Sequence, residues 1–191
     1  MVADDPFALF STLFERASHE CREPDAMVLS TVDPDGRPSG RYVLLKGVDA
    51  RGFVFYTNLE SRKAVALAAR PHAALTFYWP PQMQVRIEGD VERVSDADAD
   101  AYFATRVRAS QIGAWASLQS SPLTSRDALD ERIRETEARF AGTVVTRPPS
   151  WSGYRVVPSS IEFWTRDVAR LHERVVFQRA NGAWTRSLLY P

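Results

Sequence analysis

The sequence is poor in the groups that build covalent or metal frameworks: 191 residues hold one cysteine and three histidines. Cys21 has no partner for an internal disulfide, and so few ligands offer no zinc-site spacing. Net charge is absent too, since twenty-four Lys/Arg balance twenty-four Asp/Glu. That balance leaves no long-range field to steer the chain onto nucleic acid or an anionic membrane. No apolar run approaches the ~20 residues of a membrane-spanning helix. The start, Met1-Val2-Ala3-Asp4-Asp5-Pro6, has neither a basic n-region nor an apolar h-region. There is no Gly-rich phosphate loop and no dinucleotide fingerprint, which argues against a P-loop or Rossmann enzyme. These absences lead to the expectation of a soluble cytoplasmic protein with no metal, no nucleic-acid partner and no membrane, whose partner is a small molecule captured locally.

An apolar fraction of 45% with 11% aromatics suits one substantial core, and a single domain over 1–191 is expected. Phe7, Phe10, Phe14 and Ala17 recur at helical spacing after Asp5-Pro6, which predicts an amphipathic helix from Pro6 to Glu20. Strand texture follows from Ala26, with turns at Asp33-Pro34-Asp35-Gly36 and Asp49-Ala50-Arg51-Gly52. Arg41–Lys46, Phe53–Thr57, Ala73–Trp79 and Gln84–Val94 read as strands, with Val85, Ile87 and Val91 on one face if Gly89 is a mild irregularity. Ser61 can cap a helix through Ala69, Ser95 another through Arg106, and Ser125 a third bearing Leu129, Ile133 and Phe140. After Arg147-Pro148-Pro149-Ser150, strands are expected at Tyr154–Val157, Ile161–Trp164, Arg174–Arg179 and Trp184–Leu189, with Asn181-Gly182 as a hairpin turn. The fold class is mainly β with inserted helices, an antiparallel closed or nearly closed barrel.

Cations are concentrated beside hydroxyls and amides in four segments. In Arg41-Tyr42-Val43-Leu44-Leu45-Lys46, strand alternation sends Arg41 and Lys46 to different surroundings. Tyr56-Thr57-Asn58 runs into Ser61-Arg62-Lys63, where a helix N-terminus with two adjacent cations can cradle a phosphate; helix capping with a solvated basic face is the plainer alternative. Ser110 to Ser121 is rich in hydroxyls and amides around Trp115, suited to a heteroaromatic ring or to an ordinary surface loop. Tyr102, Arg106 and Ser110, four apart, share a face if one helix continues through them, which would suit a second phosphate. Arg170, His172 and Arg174 alternate onto one strand face, and the resulting repulsion would favour an anionic ligand.

In order and spacing, from Asp5-Pro6 to Pro191, these segments resemble the pyridoxine (pyridoxamine) 5'-phosphate oxidase family. The resemblance implies an FMN-binding split β-barrel, homodimeric with FMN at the interface, in which the strands of about 151–191 complete the active site. It implies that Arg41, Tyr42, Val43, Leu44, Leu45 and Lys46 line the isoalloxazine and that Tyr56, Thr57, Arg62 and Lys63 hold the FMN phosphate region. Gln84, Gln119, Ser120, Trp164 and Arg174 match further flavin contacts. Lys46, Tyr102, Arg106 and Ser110 would meet the substrate phosphate, while Arg170 and His172 would act at the pyridine ring as the catalytic pair. The implied activity is pyridoxal 5'-phosphate synthase: pyridoxamine or pyridoxine 5'-phosphate is oxidised and O2 is reduced to H2O2.

Some positions depart from the family pattern. Met83 stands where arginine is usual, Leu188 replaces the arginine of the usual Arg-Leu-x-Pro ending, and the first helix leaves little room for the N-terminal extension of many members. The alternatives are a related FMN-dependent oxidase of another aromatic substrate, of the phenazine-precursor type, or a non-catalytic flavin- or pyridoxal phosphate-binding protein. Phenazine-type relatives typically lose parts of Ser110-Gln111-Ile112-Gly113-Ala114-Trp115, which this chain keeps.

Overall fold

The structure is a computed structural model and describes residues 5–191. Its first helix, α1 (Pro6–Glu20), starts where the Asp5 carboxylate accepts the Phe7 amide at 2.9 Å, with Pro6 in the first turn. The stripe expected from the sequence buries Phe10 and Ala17, and Phe10 packs against Phe53 and Phe77.

Eight further elements carry the chain to the middle of the molecule: β1 (Ala26–Val32), β2 (Pro38–Leu44), β3 (Gly47–Asp49), β4 (Gly52–Asn58), α2 (Arg62–Ala69), β5 (His72–Trp79), β6 (Met83–Arg93) and α3 (Asp96–Thr105). Then come α4 (Arg108–Ala116), α5 (Arg126–Arg139), β7 (Trp151–Thr165), β8 (Glu173–Ala180) and β9 (Ala183–Leu188). All nine strands join one antiparallel sheet in the order β2-β1-β5-β6-β7-β4-β3, with β8 on β7 and β9 on β8. Alternation is strict where the sheet covers the core: Met27 and Leu29 of β1, Leu75 and Phe77 of β5, and Val85 and Ile87 of β6 are buried, while their neighbours face outward.

The bend in the sheet lies in β7. Its first half pairs with β4 (Phe53↔Val156 to Asn58↔Trp151), its second half with β8 (Ser160↔Gln178 to Thr165↔Glu173), and β6 runs beside both. The two strands expected at Tyr154–Val157 and Ile161–Trp164 are therefore one. The register jumps between Glu88↔Ser160 and Gly89↔Pro158, so the irregularity at Gly89 is a bulge that leaves Val85, Ile87 and Val91 in phase. Gly89 is required there, because a Cβ would stand 2.0 Å from the Val157 carbonyl oxygen.

Four local expectations are corrected. The β2 strand ends at Leu44, so Leu45 and Lys46 belong to the link into the unexpected short strand β3. The backbone breaks at Arg106 and Val107, which cap successive helices, so Tyr102, Arg106 and Ser110 do not share one helix. Residues 108–116 are helical, so the surface-loop alternative for Ser110–Ser121 does not hold over its first half. Strand β8 begins only at Glu173, and Arg170 has φ +65°, a left-handed turn conformation incompatible with the expected strand face. The hairpin at Asn181-Gly182 is found, with φ +53° and +81°.

Replacing Gly89 with alanine should cost about 3 kcal/mol, because backbone atoms rather than a flexible side chain would have to move. A melting point lowered by roughly 6–12 °C is expected. Gly113→Ala, with nothing within 4 Å of the added Cβ, should leave the melting point unchanged or raise it.

Candidate functional site

A cleft of about 470 Å³ opens between β2, β4 and the α3–α4 break. Tyr42, Val43, Leu44 and Lys46 line one side, Tyr56, Thr57, Asn58 and Lys63 the floor, and Tyr102, Arg106, Ser110 and Gln119 the other side. The helix break is what brings Arg106 and Ser110 here: Arg106 caps α3 and Ser110 lies in the first turns of α4, so both reach a cleft that Tyr102 already lines.

Three stacked rings set the wall. Tyr56 lies 4.1 Å from Tyr102 and 5.2 Å from Trp151, nearly parallel to both. The Arg106 guanidinium covers Trp151 at 4.8 Å, yet its buried Nη1 has no hydrogen-bond partner among the described residues. Burial lowers the Arg106 pKa. A cation held this way is short of an anion.

A second group of cations lies at the end of β1. The Arg41 guanidinium donates to the Leu29 carbonyl at 3.0 Å, to Thr31 Oγ1 at 2.8 Å and to Ser39 Oγ at 2.7 Å. Lys63 Nζ donates to Thr57 Oγ1 at 3.1 Å, Ser61 Oγ at 3.2 Å and Gln119 Oε1 at 3.3 Å. Gln119 Oε1 also accepts the Thr57 hydroxyl at 3.0 Å, which ties the segment after α4 to the floor. Burial, then the nearby Arg62, lowers the Arg41 pKa; burial, then Arg41, lowers that of Lys63. Ser61 occupies the cap position of α2, but its hydroxyl donates to the Asn58 carbonyl instead of capping the helix. Adjacent cations at an uncapped helix start form an anion cradle.

The remaining expected residues divide into two sets. Leu45 is buried toward the core, Ser120 sits at φ +73° just after Gln119, and Lys46 Nζ pairs with Asp25 Oδ2 at 2.8 Å. Gln84, Trp164 and Arg174 lie elsewhere, side by side on β6, β7 and β8. Arg174 Nε donates to Glu162 Oε1 at 2.7 Å, and Arg86 Nη1 to Glu162 Oε2 at 3.2 Å. The His172 ring lies 4.5 Å from that of Trp164; its Nδ1 accepts the Asp167 amide at 3.1 Å, which assigns the ring proton to Nε2. Asp167 Oδ1 accepts the Ala169 and Leu171 amides, so the loop that carries Arg170 is folded by its own side chain.

Tyr42 and Leu44 at the rim of the cleft share the outward face of the sheet with Gln84, Glu162 and Trp164, whereas Arg41 and Val43 turn to the core side beside Leu29 and Met27. Tyr42, Val28, Thr76, Arg86 and Glu162 form one continuous cross-strand row. Four strand spacings of about 4.8 Å put Tyr42 roughly 19 Å from Glu162 along the sheet. Between them the face carries the small side chains of Ser30, Ala74 and Thr76, and Tyr42 and Tyr78 remain 76% and 59% exposed. Exposed aromatics around such a face point to a contact surface.

Trp151, Asp33 and Glu162 hold contacts at these two sets that the sequence reading did not assign. Asp33 reads only as a turn residue, Trp151 has no reading, and Glu162 enters only as part of the Ile161–Trp164 strand. For Glu162 a signal existed, since Glu162, Trp164 and Arg174 alternate correctly for two antiparallel strands. Among the described residues, no cluster of His, Cys, Asp or Glu is arranged to hold a metal, and no helix is long and apolar enough to cross a membrane.

Family models for pyridoxamine 5'-phosphate oxidase and for the pyridoxine 5'-phosphate oxidase C-terminal dimerisation region match residues 14–140 and 151–191. A pyridoxine/pyridoxamine 5'-phosphate oxidase of Myxococcus xanthus is 58% identical over 193 residues, covering 100% of this chain and 94% of that protein. One from Rhodospirillum rubrum is 56% identical, covering 98% and 96%. Among solved structures, PhzG from Burkholderia lata, in complex with tetrahydrophenazine-1-carboxylic acid, superposes with a TM-score of 0.93 at 31% identity, covering 99% of this chain and 94% of that one. A pyridoxamine 5'-phosphate oxidase-related, FMN-binding protein from Nostoc punctiforme shares the fold, with a TM-score of 0.79 at 17% identity, covering 99% and 100%.

Anion binding to the cradle should weaken as pH rises. Burial and Arg41 disfavour the Lys63 ammonium, so it deprotonates below the pH at which an ordinary lysine would. Charging Lys63 costs the fold stability below that pH, a cost lifted as pH rises toward the usual lysine range. Titrating inorganic phosphate into the protein across the alkaline range should show affinity falling with pH, with a flatter profile for Lys63→Met. Equal slopes for the two proteins would contradict the assignment.

Proposed function

The chain belongs to the pyridoxine/pyridoxamine 5'-phosphate oxidase family, and from that premise we propose that it is an FMN-dependent oxidase. It converts pyridoxine 5'-phosphate, or pyridoxamine 5'-phosphate with uptake of water and release of ammonia, to pyridoxal 5'-phosphate, with reduction of O2 to H2O2. The observation that carries this reading is the pair of cation groups at one cleft: Lys63 lines one end, with Arg41 close to it and Arg62 close to Arg41 behind the lining, and Lys46 with the partnerless Arg106 Nη1 lines the other. Two phosphates, one on cofactor and one on substrate, answer both.

The residues fit FMN. Arg62, Lys63, Thr57 and the start of α2 would hold its phosphate, with Arg41 behind them. Tyr42, Val43 and Leu44 offer a mostly apolar edge to a flat ring system, and Gln119, its Oε1 engaged, keeps an amide N–H group free for a ring heteroatom. When bound, FMN supplies a two-electron acceptor that takes hydride from the substrate C4' carbon and passes electrons to O2. The chain's own groups bind and orient. Lys46, Tyr102, Arg106 and Ser110 take the substrate phosphate, and the Tyr56–Tyr102–Trp151 stack keeps that wall rigid. Arg170 orients the pyridine ring and assists loss of the alcohol or amine proton, and His172, with Nε2–H directed away from Asp167, supports it.

We take the set to come from two protomers. Tyr42 at the rim of the cleft and Glu162 beside the Gln84–Trp164–Arg174 row lie four strands apart, roughly 19 Å measured along the sheet. A twofold dimer that packs this face against itself brings each cleft to the partner's row, which is how an isologous contact works. The reading is therefore a homodimer with FMN at the interface, each protomer being one FMN-binding domain whose residues 151–191 complete the site. The match of that segment to a dimerisation region supports it.

The phenazine alternative is weaker on chemistry. The Burkholderia lata structure binds a carboxylic acid, whereas Lys46, Tyr102, Arg106 and Ser110 are suited to a phosphate. Identity also favours the B6 oxidases, at 58% against 31%.

Anaerobic addition of pyridoxamine 5'-phosphate to the FMN-loaded protein should bleach the flavin absorbance, and readmitted O2 should restore it with release of H2O2. A flavin that stays oxidised with both B6 phosphates would refute the proposed substrate. Arg170→Ala should lower turnover about a hundredfold or more while FMN content stays unchanged; lost flavin would instead move Arg170 to the cofactor side.

A further inference from the structure

The core face of β1 reads Met27, Leu29, Thr31, and Asp33 continues it just past the strand end. It turns from apolar to polar where the cation cradle begins. Thr31 is 2% exposed and accepts from Arg41; Asp33 is 8% exposed and its Oδ2 accepts both Nε and Nη2 of Arg62, at 3.2 and 2.5 Å. The backbone fixes the carboxylate: the Asp33 amide donates to the Arg37 carbonyl and the Asp33 carbonyl accepts the Gly36 amide, both at 2.8 Å. Asp33 Oδ1 is buried without a hydrogen-bond partner. A carboxylate beside a site for phosphate repels the ligand. Its geometry gives it another use. The Arg62 side chain is 64% exposed and, among the described residues, no other acidic group lies within ion-pair distance, so without Asp33 a long flexible arm would sweep solvent.

We propose that Asp33 is the positioning residue of the phosphate cradle: its side-on pair holds the Arg62 guanidinium in the orientation from which it meets the FMN phosphate. The role rests on the FMN reading above. It also explains why two cations so close together as Arg41 and Arg62 are tolerated before any ligand arrives, since the fixed negative charge between strand and helix offsets their repulsion. The fork of an arginine suits such a pair and the single ammonium of a lysine does not.

The test compares FMN with riboflavin, which lacks the phosphate, by fluorescence titration of the apoprotein. Wild type should prefer FMN strongly. Asp33→Asn should weaken FMN binding about tenfold, a difference of roughly 1.4 kcal/mol, while riboflavin binding stays within about twofold. Arg62→Ala should show the same selective loss, and the double variant no further loss, because Asp33 acts only through Arg62. As Asp33 is buried, Arg62→Lys provides a second reading with the core untouched: charge is kept, the side-on pair is lost, and the FMN preference should fall as it does in Asp33→Asn. An unchanged FMN preference in Asp33→Asn and Arg62→Lys, equal losses for both flavins, or additive losses in the double variant would overturn the inference alone. A wild type that binds riboflavin as well as FMN would overturn the phosphate assignment itself, and the inference with it.

Discussion

Four strand spacings separate Tyr42 from Glu162 along the outward face of the sheet. The rest of the architecture follows from this separation. The core face is closed by α1 and the packed aromatics of Phe10, Phe53, Phe77 and Trp79, while the outward face keeps small residues in the middle and exposed Tyr42, Leu44 and Tyr78. An exposed face of that kind marks an interaction surface. In the proposed dimer a second copy covers it and completes two sites at once. β7 is the element that makes this possible, because its bend at the bulge carries β8 and the Trp164–Arg174 pair away from the cleft that β4 floors.

Electrostatics within each cleft follow a related logic. The chain has no net charge to attract a phosphate from a distance, so affinity must come from local preorganisation. Arg41 is tied to three acceptors, Lys63 to three more, and Arg106 is laid on Trp151. Each is held in place and partly stripped of its hydration before a ligand arrives, and burial lowers the pKa of all three. In the proposed function a bound phosphate supplies the opposite charge they lack. At the other set, the buried Glu162 carboxylate pairs with both Arg86 and Arg174, and its hydrogen bond raises the Arg174 pKa.

Much of the fold was legible because it depends on local chemistry: Asp5-Pro6 before a phenylalanine stripe, Ser95 and Ser125 as caps, and Asn181-Gly182 between two strands. The family resemblance supplied the candidate residues, and the cleft brings Tyr42, Lys46, Tyr56, Lys63, Tyr102, Arg106, Ser110 and Gln119 together. What periodicity could not give was set by tertiary structure. Arg106 reaches the cleft through a helix break that a four-residue spacing cannot reveal. Arg170 and His172 alternate like a strand but belong to a loop held by Asp167, because two backbone amides find that carboxylate closer than any neighbouring strand. Asp33 was hidden by its own turn, whose Asp-Pro-Asp-Gly sequence explains it fully until Arg62 is seen beside it.

The central claim is that each site is built from two protomers, and subunit complementation tests it most directly. Arg106→Ala disables the cleft set and Arg170→Ala the set around Trp164, so each homodimer should be inactive. In a purified heterodimer of the two, one site carries both lesions and the other carries neither. The account predicts about half the wild-type activity per dimer, from one intact site of two. A heterodimer as inactive as its parents would mean that both sets act within one protomer, and would contradict it.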